Sequence, residues 1–103
     1  MEVQHFSTLN DGRFFADIDI GVSGKPEILQ AELRYIKQGS IMNIHHTFVP
    51  EQLRGRGLAE KLTRTAFDYA KKHNMKIKPT CPYIEDTFLK KFPELKAMTV
   101  PVK

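Results

Sequence analysis

Hydrophobic and polar residues alternate through the first half of the chain, as they do in strands that bury one face. The alternation predicts four strands, at residues 3–8, 13–20, 28–37 and 41–49. Residues that favour turns separate these strands, at 10–12, 21–26 and 38–40. The first half of the chain is therefore predicted to form an antiparallel meander.

From Leu58 the hydrophobic residues recur every three or four positions, which predicts a helix that runs to about His73. Its apolar face comprises Leu58, Ala59, Leu62, Ala66, Tyr69 and Ala70. A fifth strand is predicted at residues 75–80. It should lie parallel to the fourth strand, because a strand–helix–strand unit makes a right-handed crossover.

The C-terminal part of the chain carries weaker signals. A short helix is predicted within residues 84–92, starting near Asp86 and ending before Pro93. The tail at 95–103 alternates and is predicted to add an edge strand. Together the patterns predict an α+β fold. Antiparallel strands are followed by a βαβ unit, and a central mixed sheet carries one main helix and one short C-terminal helix.

Length and cysteine content limit the setting of the protein. The 103 residues are expected to form one domain, spanning 1–103. No apolar run is long enough to cross a membrane, and the N-terminus lacks the basic and apolar segments of a signal peptide. The lone Cys81 cannot form an internal disulfide, so a reducing, cytoplasmic setting is expected.

The net charge of +4 implies an attraction for anions. Lysines are spread over the C-terminal half without interleaved aromatic residues, so a solvated basic surface is expected in preference to a nucleic-acid patch. The four histidines and the cysteine show no spacing typical of zinc ligands, and no metal is expected.

Gly55 and Gly57, set between Arg54 and Arg56, mark a loop where the fourth strand gives way to the helix. A helix N-terminus has unpaired N–H groups and partial positive charge. Glycines let a phosphate approach that backbone, and arginine suits phosphate oxygens. The loop is therefore predicted to bind a phosphorylated anion. The alternative is a tight turn with solvated arginines. The spacing is neither that of the nucleotide triphosphate loop nor that of the dinucleotide fingerprint.

The stretch Gln52-x-x-Gly55-x-Gly57-Leu58-Ala59, after the lead-in Phe48-Val49-Pro50, resembles the acyl-coenzyme A pyrophosphate loop of the GNAT acetyltransferase superfamily. His46-Thr47-Phe48-Val49-Pro50 and Cys81-Pro82-Tyr83 resemble a compact, single-domain subgroup with His-Thr-aromatic-Val-Pro and Cys-x-Tyr motifs. The resemblance implies a minimal GNAT-like fold. The chain lacks the two helices that usually follow the first core strand and help to shape the acceptor pocket.

The same resemblance implies acetyl-coenzyme A as cofactor. The implied cofactor-binding residues are Phe48, Val49, Gln52, Arg54, Gly55, Arg56, Gly57, Leu58, Ala59, Phe88 and Lys91. Backbone groups near Phe48 and Val49 would hold the pantetheine arm. Phe88 and Lys91 would line the adenine and 3′-phosphate end, although Lys91 also fits an ordinary surface position.

His46, Cys81 and Tyr83 are the candidate catalytic residues. His45 and His46 are neighbours on a strand and are expected to point to opposite faces, and the motif favours His46 as the proton acceptor. Cys81 would carry a covalent acyl group, although most members of the superfamily transfer directly. Tyr83 would protonate the departing thiolate. For each residue the alternative is structural: a hydrogen-bonded histidine, an unreactive cysteine, a packed tyrosine.

The resulting hypothesis is an acetyl-CoA-dependent N-acetyltransferase that modifies a primary amine on a small molecule or a protein. One alternative is a coenzyme A or acyl-coenzyme A binding module with little or no turnover. Another is a small basic nucleic-acid binder. The expected partners are acetyl-CoA and an unidentified amine, without a membrane, and the expected state is a monomer or weak dimer.

Overall fold

The computed structural model describes residues 2–102, and its centre is a five-stranded sheet with the strands in chain order. The strands are β1 (Gln4–Ser7), β2 (Asp11–Asp19), β3 (Ile28–Gln38), β4 (Ile41–Phe48) and β5 (Lys76–Pro79). Neighbours from β1 to β4 are antiparallel, and β4 and β5 are parallel. The predicted α+β arrangement is confirmed.

The parallel strands are joined by the main helix, α1 (Leu58–Lys72). A 3₁₀ turn (Glu51–Leu53) lies between β4 and α1. After β5, a π-helical segment (Ile84–Phe88) runs into the single turn α2 (Leu89–Lys91). The second helical segment is present as predicted, but it has begun by Ile84 and not near Asp86.

One face of the sheet packs against α1 and forms the core, because alternate side chains of a strand share a face. The buried side chains are Phe14, Ala16, Ala31, Leu33, Tyr35, Met42, Ile44 and Ile77 from the sheet and Leu58, Leu62, Ala66, Phe67 and Ala70 from α1. The opposite face, here called the outer face, has no helix packed on it in residues 2–102. Its hydrophobic side chains are accordingly exposed: Phe6 by 60%, Ile36 by 40% and Phe48 by 45%.

Helix α1 buries two residues that its hydrophobic spacing did not select. Phe67 lies 5.1 Å from Phe88, measured between ring centroids, so it packs beneath the C-terminal helical segment. Thr63 is fully buried, and its hydroxyl donates to the carbonyl of Ala59 at 2.7 Å. That bond satisfies the only polar group of the Thr63 side chain.

A β-bulge interrupts the pairing of β3 with β4. Tyr35 pairs with Ile44, whereas Arg34 pairs with His46, which leaves His45 as an extra residue on β4. The prediction that His45 and His46 face opposite ways is therefore wrong. His46 lies opposite the exposed Arg34, and His45 lines a concavity of the outer face beside Arg34.

The first turn falls slightly earlier than its Asn-Asp-Gly signal. The N–H of Thr8 donates to the carbonyl of Asp11 at 2.8 Å, and Gly12 already belongs to β2. A Cβ at Gly12 would lie 2.4 Å from the hydroxyl oxygen of Tyr35. Glycine is thus needed here because the buried tyrosine crosses this strand.

The tail does not form the predicted edge strand. Residues Pro93–Met98 form 3₁₀ turns, and within residues 2–102 the strand-like pairing of the tail with β5 is one parallel bridge between Ile77 and Thr99. The N–H of Val100 donates to the carbonyl of Ile77 at 2.8 Å, and within residues 2–102 no further backbone hydrogen bond of the tail to β5 follows it.

A cluster of aromatic rings fastens β1 to the core. The ring of His5 stacks on Phe14 with 4.1 Å between centroids and meets the edge of Tyr69 at 4.6 Å. Its Nε2 lies 2.6 Å from the hydroxyl of Tyr35. Burial raises the pKa of Tyr35 to about 12, so this hydroxyl keeps its proton and donates to a neutral His5.

Protonation of His5 should weaken the fold. Burial, together with the charges of Lys37 and His73, lowers the pKa of His5 from its usual 6.5. The unfolded chain therefore binds more protons than the folded one just below pH 6.5, and stability falls as the pH drops through that range. We expect His5→Phe, which keeps the stacking on Phe14 but cannot titrate, to show a shallower decrease. Urea unfolding at a series of pH values measures both slopes. Equal slopes of stability against pH in the two proteins would contradict the assignment of this pH dependence to His5.

Candidate functional site

An open cleft of about 400 Å³ lies where β4 ends and α1 begins. Its lining residues come from the end of β4, the glycine loop, the first turn of α1 and the segment after β5. They are Thr47, Phe48, Val49, Leu53, Arg54, Gly55, Gly57, Leu58, Ala59, Glu60 and Tyr83. Seven of the predicted cofactor-binding residues therefore border one cavity: Phe48, Val49, Arg54, Gly55, Gly57, Leu58 and Ala59.

The cleft exists because β4 and β5 separate. Their parallel pairing ends at Ile44 and Pro79, while β4 remains paired with β3 as far as Phe48. Beyond Pro79 the chain turns across the end of the ladder, and the N–H of Cys81 donates to the carbonyl of Ile44 at 3.0 Å. The β5-facing edge of the last residues of β4 is thereby left without a strand partner in the described part of the chain.

Thr80 holds the point of separation. Its hydroxyl lies 2.6 Å from the side-chain oxygen of Asn43 and 3.0 Å from the carbonyl of Ile44. These contacts tie the end of β5 to β4 one residue before the bulge. The mouth of the cleft is therefore built from hydrogen-bonded backbone.

The glycine loop presents unpaired backbone donors. Gly55 and Gly57 have φ values of 84° and 75°, and nothing lies within 4 Å of a Cβ built on either. Within residues 2–102, the N–H groups of 55–57 donate no hydrogen bond. The first helical bond runs from Lys61 to the carbonyl of Gly57, and no side chain caps the helix. The N–H groups of residues 55–60 are therefore available to an anion.

Buried apolar side chains fix the loop on both sides. Leu53 is fully buried before the glycines, and Leu58 is 4% exposed after them. The guanidinium of Arg54 donates through Nε to the carbonyl of Val49 at 3.1 Å, which braces the loop against the end of β4. Arg56 and Gln52 are exposed outside the lining of the cleft.

Glu60 is an acidic residue in a site otherwise suited to anions. It lies in the first turn of α1, and its carboxylate pairs with the ammonium of Lys91 at 2.7 Å. Lys91 therefore stands at the rim and offsets the charge of Glu60. This pair could not be predicted from local sequence, because its members are 31 positions apart.

Tyr83 forms one wall of the cleft and is half-buried. Burial, and then the charges of Glu60 and Cys81, raises the pKa of the Tyr83 hydroxyl above its usual value of 10. The hydroxyl therefore remains protonated at neutral pH and can act as a proton donor.

Cys81 and His46 lie on different sides of β4. Cys81 is 6% exposed, and its thiol donates to the hydroxyl of Thr47 at 3.4 Å. Thr47 pairs with the buried Leu33, whereas His46 pairs with the exposed Arg34. The His46 ring is stacked near Phe48 on the outer face, with 6.4 Å between centroids. The structure thus does not bring His46 and Cys81 together.

Phe88 belongs to the core. It is 1% exposed and packs against Phe67 and Phe92 at 5.1 Å between centroids in each case. Its ring is therefore covered by protein and not presented to a ligand. Thr47 and Leu53, which sequence reasoning did not select, do line the cleft. For Leu53 the signal was present as the lone hydrophobic residue before the glycines, whereas Thr47 is turned toward the cleft by the bulge, which has no local signal.

In residues 2–102 no group of three or more His, Cys, Asp or Glu side chains is placed to hold a metal ion. Over the same residues, no helix combines the length and the apolar character needed to cross a membrane.

Comparison with known proteins identifies a family whose model matches most of this chain. The family model described as GCN5-related N-acetyl-transferase matches residues 14–98. Relatives called Protein NATD1, from Gallus gallus and Mus musculus, are each 40% identical over 45 residues, which covers 44% of this chain and 41% of the relative. The Bos taurus protein of that name is 38% identical over 53 residues, covering 52% and 46%. The chain thus spans less than half the length of these curated relatives.

Cys81 should react slowly in the folded protein. Its thiol is covered and hydrogen-bonded to Thr47, so a reagent must wait for local opening. We expect the reaction with a thiol-specific disulfide reagent to be slower than in denaturant by about 100-fold or more. Cys81→Ala supplies the background, since the chain has one cysteine. Equal rates in the folded and unfolded states would show that the thiol is open to solvent.

Proposed function

Because the chain belongs to the GCN5-related N-acetyltransferase family, we propose that it transfers an acetyl group from acetyl-CoA to a primary amine. The observation that carries this proposal is the row of free N–H groups at residues 55–60, which faces a cleft opened by the separation of β4 and β5. A lone cysteine also fits the reducing cytoplasm.

The residues around the cleft fit a phosphorylated carrier. The N–H groups of the loop would hold its diphosphate, with the exposed Arg56 adding charge. The carrier's extended arm would lie along the free edge of β4 near Phe48 and Val49 and complete its backbone hydrogen bonds, as an added strand does. Lys91 would serve a phosphate at the rim. Phe88 is left out because its ring is buried.

Bound acetyl-CoA would supply the acetyl thioester that the amine attacks. His46 would take the proton from the amine nitrogen as that nitrogen bonds to the acetyl carbon. Tyr83 would give its proton to the sulfur as the carbon–sulfur bond breaks, a role supported by its position in the wall of the cleft. Both groups recover their starting states by exchange with water.

We propose direct transfer, without an acyl-cysteine. A cysteine nucleophile needs a base to remove its proton, and the thiol of Cys81 instead donates to Thr47. His46, the base suggested by the motif, lies on the other face of β4. Cys81 then acts by packing beneath Thr47 at the mouth of the cleft. Intact-mass measurement after mixing with acetyl-CoA tests this, and an acetyl adduct on Cys81 would overturn it.

Alanine at either loop glycine should weaken coenzyme A binding. A methyl group at Gly55 or Gly57 narrows the approach to the N–H groups and strains a left-handed backbone. We expect a loss of affinity of about tenfold or more for each variant by calorimetric titration. Gly39→Ala is the matched control, because Gly39 has a φ of 65° and lies in the turn before β4, away from the cleft. Equal affinities in all three variants would remove the loop from the site.

Tyr83→Phe should slow transfer without weakening binding. The variant keeps the ring in the wall but removes the proton donor, so we expect kcat to fall by about 100-fold or more with coenzyme A affinity unchanged. Tyr69→Phe, which alters a partly buried tyrosine in the cluster around His5, should leave kcat unchanged. Release of free thiol measures the rate. Tight binding without thiol release from the unaltered protein would instead indicate a binding module.

A further inference from the structure

A row of basic side chains crosses the outer face of the sheet. Arg13 of β2 pairs with Arg34 of β3, and Arg34 pairs in turn with His46 of β4. The bulge adds His45 beside them. Like charges directly opposite one another destabilise a sheet. The positive charges of this row therefore need to be offset by negative charges of the protein or of a ligand.

One carboxylate supplies part of that compensation. Glu32 has an exposed side-chain fraction of 15%, and its Oε1 lies 3.1 Å from Nη1 of Arg13. Its Oε2 lies 3.0 Å from Nε of Arg34 and 3.9 Å from Nε2 of His46. Glu32 thus contacts two guanidinium groups and a histidine with a single negative charge, and Asp11 brings a second negative charge to the adjoining concavity.

The two arginines differ in how many of their guanidinium N–H groups remain free to bind a ligand. Arg13 also donates to the side chain of Gln30 at 2.6 Å and covers the ring of Phe15 at 4.2 Å. Arg34 has an exposed side-chain fraction of 53% and, among residues 2–102, donates only through Nε to Glu32. Its two terminal nitrogens remain free, and they form the planar fork that binds two oxygens of one carboxylate.

A concavity of about 440 Å³ lies beside this fork. It is lined by Phe6, Asp11, Gly12, Arg13, Arg34, Ile36 and His45. Phe6 and Ile36 give it an apolar side, and His45 and Arg34 give it hydrogen-bond donors. The concavity and the cleft have no lining residue in common, but both are bordered by β4: His45 of the concavity lies three residues before Phe48 of the cleft, with His46 between them.

We propose that the acceptor is a small amine that carries a carboxylate a few bonds away, together with an apolar substituent. The inference rests on the proposed acetyl transfer. The carboxylate lies between the free nitrogens of Arg34 and a ring N–H of His45, the amine lies beside His46, and the apolar group contacts Phe6 and Ile36. Nε of Arg34 and Nε2 of His46 both lie within 4 Å of the same Glu32 oxygen, so the two side chains are close enough for one small molecule to contact both.

A carboxylate suits the surface better than a phosphate. Glu32 and Asp11 both stand close to the concavity, and the carboxylate of Asp11 accepts from the hydroxyl of Thr8 at 2.7 Å. Two fixed negative charges repel a doubly charged group more strongly than a singly charged one. Arginine geometry also matches the two coplanar oxygens of a carboxylate.

The test compares L-leucine with L-leucinamide, which differ in the carboxylate. We expect kcat/KM with acetyl-CoA to be higher for leucine by about tenfold or more, because charged partners strengthen hydrogen bonds. Arg34→Gln should abolish the preference, and Arg34→Lys should keep only part of it. Lys72→Gln is the matched control for net charge, since Lys72 ends α1 about 20 Å from its first turn. The control should behave as the unaltered protein.

A second readout needs no acetyl-CoA. Titration with L-leucine should shift the imidazole NMR signals of His45 and His46 in the unaltered protein but not in Arg34→Gln, with leucinamide giving smaller shifts. Coenzyme A affinity should be the same in every Arg34 variant. Equal use of leucine and leucinamide, or equal shifts with Arg34→Gln, would overturn this inference while leaving acetyl transfer intact. Loss of coenzyme A binding by the unaltered protein would overturn the proposed transfer instead.

Discussion

The separation of β4 from β5 is the constraint on which the site depends. Two parallel strands pair for four residues, from Ile41 with Lys76 to Ile44 with Pro79, and then part. After Pro79 the N–H of Thr80 donates to the carbonyl of Lys78 within its own segment, and on the other side of β4 a bulge occurs at His45. The free edge, the cleft and the entry to the glycine loop all begin at this point.

The glycine loop is suited to binding an anion because its N–H groups are unpaired and its backbone is held in place. The N–H groups of the two left-handed glycines are unpaired, while Leu53 and Leu58 are buried on either side and Arg54 is hydrogen-bonded to the end of β4. Donors held in this way need little reorganisation when an anion arrives. The same core that stabilises α1 thus fixes the geometry of the anion site.

The strands, the main helix and the glycine loop could be predicted from the sequence, because each has a local period or a local spacing of residues. It did not reveal features that depend on contacts between distant residues. The bulge at His45 is set by the register with β3, and strand parity alone wrongly placed His45 and His46 on opposite faces. Phe88 followed from a family resemblance, but its ring is taken up by Phe67 and Phe92. Alternation in the tail suggested a strand, whereas Pro93–Met98 form 3₁₀ turns and, within residues 2–102, the tail makes one isolated bridge to β5.

The uncovered outer face has a consequence for how such a protein can change. Folding is secured on the side where α1 packs, while Arg34, His45, Phe6 and Ile36 stand on the other side with solvent as their neighbour. Exchanges there need no repacking of the interior, and additive effects are the rule for sites that share no contacts. Substitutions on this face can therefore change the preference for one acceptor over another while the stability of the fold is kept. The register of the strands must be preserved, because it places these side chains.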